Sequence, residues 1–151
     1  MTVADHIAQQ PALVQNWIQF MGLVNMTALL FFVVGLGRGL LGLRGPNGTF
    51  KLYYWEGMVM LVAAAISSAF MDYLFAEYGY TRILGLAHVV FWTPAVAWLA
   101  LRLKKGTIPI RSIFGGYIAL LVATNTTSLV IDYIDVARYL LGDTGIVGPA
   151  A

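Results

Sequence analysis

Four long apolar stretches take up most of the chain, at about residues 16–42, 54–77, 82–103 and 112–141. A bilayer-spanning helix needs about 20 such residues, so each stretch is long enough to cross. The breaks between them carry turn chemistry: Gly45-Pro46-Asn47-Gly48, Tyr78-Gly79-Tyr80-Thr81 and Gly106-Thr107-Ile108-Pro109. Gly79 and Gly106 suit helix C-terminal positions, while Thr81 and Ser112 suit N-caps. Connections this short make consecutive helices neighbours of opposite direction. The pattern predicts an all-α membrane protein, a four-transmembrane-helix antiparallel bundle with up-down-up-down topology. In this reading residues 1–15 are an N-terminal extracytoplasmic tail and residues 16–141 the transmembrane domain. Residues 142–151, with Gly142, Gly145, Gly148 and Pro149, form a flexible extracytoplasmic C-terminal tail.

Composition agrees with this class. Of the 151 residues, 60% are hydrophobic and 11% charged, where a soluble domain carries roughly a quarter charged residues. Cysteine is absent, which removes disulfides and thiolate ligands or nucleophiles. The tail before Trp17 holds no Lys or Arg, so no cleavable signal peptide is expected. Charge then sets orientation, because basic loops stay in the cytoplasm. Arg38, Arg44 and Lys51 flank the first loop and Arg102, Lys104, Lys105 and Arg111 the third, against only Arg82 and Arg138 at the opposite face. Acidic residues sort the other way, with Glu56 alone near the basic loops. We expect an integral protein of the bacterial inner (plasma) membrane with both termini extracytoplasmic. Its surroundings would be membrane lipid, with a homo-oligomer or larger membrane complex as partner. The basic residues line no amphipathic surface, so no nucleic acid is expected.

The fourth stretch carries the most chemistry. Asn125, Ser128, Asp132, Asp135 and Tyr139 are spaced by three, four, three and four residues, which puts them on one helix face. Unpaired polar groups in lipid cost several kcal/mol, so this face should turn toward protein or water. At about 1.5 Å per residue, Asp132 lies roughly 10 Å from the outer end of its span, and Asp72 and His88 roughly 8 to 9 Å from the outer ends of theirs. Convergence of Asp72, His88 and Asp132 would build a site of two carboxylates and an imidazole, with Asn125, Ser128 and Asp135 around it. Such ligands suit a divalent cation or can pass protons. The competing structural reading pairs Asp135 with Arg138 and Arg82 with Glu77 or Asp72, and leaves His88 bonded to a neighbouring helix.

At the inner end, Arg38 and Glu56 each lie about one turn inside the membrane and are expected to form a salt bridge between adjacent helices. Gly35 and Gly39, and Gly115, Ala119 and Ala123, recur at four-residue spacing and read as close-packing faces. Pro94 is expected to kink the third span. Haem is disfavoured because His6 lies in the tail, leaving one membrane histidine, and a retinal Schiff base is disfavoured because Lys51, Lys104 and Lys105 all lie in loops. Three functions follow: binding or transport of a cation, proton or small ligand through the outer polar site, an accessory or assembly subunit, or a membrane-embedded enzyme with carboxylate and histidine acid-base chemistry.

Overall fold

The computed structural model describes residues 2–41 and 55–146. Arg44, Lys51, the first loop and the last residues of the C-terminal tail lie outside these. Five α-helices follow in order: α1 (Val3–Ala8), α2 (Ala12–Leu40), α3 (Glu56–Tyr78), α4 (Gly85–Lys104) and α5 (Ile113–Leu140). A single 3-10 turn, Arg82–Leu84, leads into α4, and no strand occurs among the described residues. The last four helices are each long and apolar enough to cross a membrane, as the sequence pattern predicts. The first of them begins at Ala12, just after Pro11, whose fixed φ and missing N–H suit a helix start. Part of the expected N-terminal tail is therefore helix. α1 itself is closed by a capping box in which Thr2 Oγ1 accepts from the Asp5 amide and Asp5 accepts from the Thr2 amide.

Local chemistry at the helix ends follows the expected residues with one exception. Gly79 ends α3 at φ 68°, a left-handed conformation that glycine adopts without strain, and its N–H bonds the Phe75 carbonyl. Ser112 caps α5 by accepting from the Gly115 amide at 2.9 Å. Thr81 precedes the 3-10 turn, yet its buried hydroxyl makes no hydrogen bond. Pro94 sits inside α4, which continues unbroken to Lys104.

The packed centre is built from α2, α3, α4 and α5 together, around Met60, Leu99, Ile118 and Leu121, all fully enclosed. Contacts between α2 and α5 run in opposite number order: Trp17 meets Ser128, Asn25 meets Asn125, and Phe31 meets Phe114. Small residues let the backbones approach, since a Cβ on Gly57 would lie 3.0 Å from the Ala28 Cβ. One end of the bundle, here the Arg82 end, gathers both described chain extremities. The imidazole of His6 stacks on Tyr80 at 4.6 Å, and Ile146 forms a backbone bridge with Thr81. Burial against this cover pushes the Tyr80 phenol above its usual range. The opposite end, the Arg102 end, holds Glu56 and the basic C-terminus of α4.

Candidate functional site

The polar stripe of α5 does turn inward, but two different helices divide it. Its deeper half faces α2. Asn125 is completely buried and exchanges two side-chain hydrogen bonds with Asn25, at 3.3 and 3.4 Å. Each amide also donates to its own helix, Asn25 to the Met21 carbonyl and Asn125 to the Leu121 carbonyl. One turn further on, Ser128 accepts from Trp17 Nε1 at 3.0 Å and donates to Met21 Sδ. Trp17, Met21 and Asn25 stand four residues apart on α2, so the seam is a register of two helix faces. Asn25 is a partner the sequence reading passes over. A lone Asn deep in an apolar span needs a hydrogen-bonding counterpart, and Asn125 is the matching group.

Removing one member of this pair leaves the other amide buried without its partner, a loss of about 1 to 3 kcal/mol. We expect Asn125→Leu and Asn25→Leu each to destabilise the protein by that order in a reversible unfolding titration. The double substitution, which leaves no unpaired amide, should cost less than the sum of the two. Additive losses would mean that the two amides are not coupled.

The shallower half of the stripe faces α4. His88 Nδ1 lies 3.0 Å from Asp132 Oδ2, both side chains less than one-fifth exposed. Two features hold this geometry. A Cβ on Gly85 would lie 3.1 to 3.2 Å from Asp132 Oδ1, Cα and Cβ, so glycine at the start of α4 makes the space into which Asp132 fits. The imidazole also lies against the Trp92 indole with centroids 4.0 Å apart, and Trp92 Nε1 donates to Ser67 Oγ on α3 at 2.9 Å. The chain Ser67, Trp92, His88, Asp132 thus ties three helices. His88 Nε2 makes no hydrogen bond among the described residues.

Above this pair, Arg82 donates to Asp135 at 2.8 Å and to Asp143 at 2.9 Å, and Arg138 reaches Asp143 at 2.7 Å. Asp135 therefore pairs with Arg82 rather than with Arg138, and Arg82 reaches neither Glu77 nor Asp72. Burial alone would raise the Asp143 carboxyl, but the hydrogen bonds and charges of Arg138 and Arg82 outweigh it and hold the group below the usual carboxylate range. This clamp folds residues 142–146, expected to be flexible, back over the Arg82 end.

Two expectations need correction. Asp72 does not join His88 and Asp132: it is exposed on α3, with no hydrogen bond or ion pair among the described residues. The buried positions of α3 include Met60, Ala63, Ser67 and Leu74. At about 100° per residue Asp72 points roughly 120 to 180° away from them. Among the described residues no three His, Cys, Asp or Glu side chains are placed to hold a metal ion, so a site of Asp72, His88 and Asp132 for a divalent cation does not assemble. The second correction concerns Arg38, which is exposed and does not pair with Glu56. Glu56 accepts instead from Arg102 at 2.9 Å, with Arg102 lying over the Trp98 ring at 5.1 Å.

Comparison with known protein families, curated proteins and solved structures finds no match for this chain.

Proposed function

We propose that this chain is a small polytopic membrane protein in which His88 and Asp132 bind and pass a proton in the extracytoplasmic half of an up-down-up-down bundle. The observation that carries this reading is the 3.0 Å contact between His88 Nδ1 and Asp132 Oδ2 on two helices that are apolar enough to span a membrane. With Asp132 ionised, its carboxylate can only accept, so in that form Nδ1 carries the hydrogen and Nε2 is left as a bare lone pair. That nitrogen, without a protein partner, is the atom that would take up a proton or a hydrogen-bond donor from a small ligand. Asp132 stabilises the imidazolium so formed, and the Trp92 indole fixes the ring plane. An imidazole with its carboxylate can be loaded and unloaded without a separate cofactor.

Orientation belongs to the same proposal. The seven basic residues flanking the first and third connections put the Arg102 end in the cytoplasm, so the Arg82 end, the His88 pair and both termini are extracytoplasmic. The divalent cation is not carried forward, because Asp72 faces away from the pair.

The tautomer tests the reading. The chain has two histidines, so His6→Gln leaves His88 as the only imidazole signal in a nitrogen-labelled sample. We expect the neutral ring to carry its hydrogen on Nδ1, with that preference lost in Asp132→Asn. A neutral ring protonated on Nε2 would mean that Asp132 holds the proton and that His88 offers no acceptor.

A further inference from the structure

We propose that the lipid-facing seam between α4 and α5 binds a membrane alcohol, meaning a long apolar molecule whose polar end is a single hydroxyl. The seam is marked by Thr93 and Tyr133, whose hydroxyls lie 2.9 Å apart in an exposed position. Side chains on an α-helix lean toward its N-terminus, which carries the Tyr133 ring about a turn deeper than its own Cα. Tyr133 already sits roughly 10 Å inside the end of α5 at about 1.5 Å per residue, so the hydroxyl pair lies within the depth of the acyl chains.

Hydrogen-bond accounting identifies the missing partner. Two hydroxyls bring two hydrogens, and their mutual bond uses one. The second has no acceptor among the described residues. One turn back on α4, Pro94 has no N–H to give the Val90 carbonyl, which loses its helical donor. Val90 and Thr93 share a helix face by their three-residue spacing, and Val90 is exposed. The hydroxyl pair thus keeps one spare hydrogen, and the Val90 carbonyl, left without its helical donor, belongs to the preceding turn of the same helix face, in a medium that supplies neither partner. A single alcohol group satisfies both, donating to the Val90 carbonyl and accepting from the Thr93 and Tyr133 pair. A charged head at this depth would be strongly disfavoured, and an ether or ester could accept but not donate. Val130 and Ile134, exposed beside Tyr133 on α5, supply an apolar wall for the chain of such a molecule.

This inference stands apart from the proton reading, since it uses neither His88 nor Asp132, and its readout is binding rather than flux. The test places the full chain in phosphatidylcholine vesicles with a photoreactive long-chain alcohol, or with the methyl ether of the same compound, and maps the crosslinked peptides. The alcohol should label the segments around Val90 and Tyr133 several-fold more than the ether. Tyr133→Phe and Thr93→Val, which remove only hydroxyls, should each bring alcohol labelling down toward the ether level. Equal labelling by alcohol and ether overturns the proposal, as does labelling that is unchanged in both variants, because the spare hydrogen would then be satisfied within the protein.

Discussion

Gly115→Ala should destabilise the fold by about 3 kcal/mol, at the upper end of what overpacking does, while Gly116→Ala next to it should be neutral or stabilising. The two glycines sit in the same first turn of α5 and differ only in what surrounds them. A Cβ on Gly115 would run into the carbonyl of Pro109, with the Pro109 carbonyl carbon and the Ile110 Cα also too close. Those are backbone atoms, and the turn holding them is fixed from both sides. Ser112 donates to the Pro109 carbonyl at 2.7 Å and accepts from the Gly115 amide at 2.9 Å. Relief would therefore require shifting the cap itself. Around Gly116 nothing lies within 4 Å, so alanine there meets no obstacle and gains up to about 1 kcal/mol of helix propensity. Unfolding titrations of both variants give the comparison. Equal effects would mean that the turn yields and the close approach is not a constraint.

Glu56→Gln should be the next most damaging change, at about 2 kcal/mol. The estimate lies between the 3 to 5 kcal/mol of a fully buried broken pair and the 1 kcal/mol or less of a surface pair, because Glu56 is 11% and Arg102 28% exposed. The substitution leaves Arg102 with no carboxylate on a side chain whose Nε already lacks a partner. Arg102→Met in the Glu56→Gln background should recover part of the loss, whereas Arg38→Gln should behave as an independent surface change. A double-mutant cycle that couples Glu56 to Arg38 and not to Arg102 would contradict the pairing.

These cases show which parts of the fold are legible in the chain. The four spans follow from apolar run length, and Gly79 and Ser112 follow from what helix ends require. The inward turn of the α5 stripe follows from its spacing. Distance along a helix is also readable, and His88 and Asp132, read at similar distances from their helix ends, are in contact. Azimuth is not fixed by depth. Asp72 matches the level but lies on the far side of α3, and the buried positions Met60, Ala63, Ser67 and Leu74 indicate that direction only once the helices are packed. Pair choice fails for a similar reason. Arg38 and Arg102 are both basic and both near Glu56 in depth, and only the α3 and α4 contact selects Arg102. Asn25 was readable in principle, since Trp17, Met21 and Asn25 repeat every four residues opposite the stripe that contains Asn125 and Ser128.

If His88 and Asp132 pass a proton, purified protein in sealed vesicles should carry a proton flux that depends on both side chains. Proteoliposomes loaded with a pH-sensitive dye are given a pH gradient, with a potassium ionophore to dissipate the membrane potential. Wild-type protein should give a proton flux above that of protein-free vesicles, reduced to the protein-free level in both His88→Gln and Asp132→Asn, and retained in Asp72→Asn, whose carboxylate faces away from the pair. Wild-type vesicles no leakier than empty ones, or a His88→Gln variant that conducts like the wild type, would contradict it.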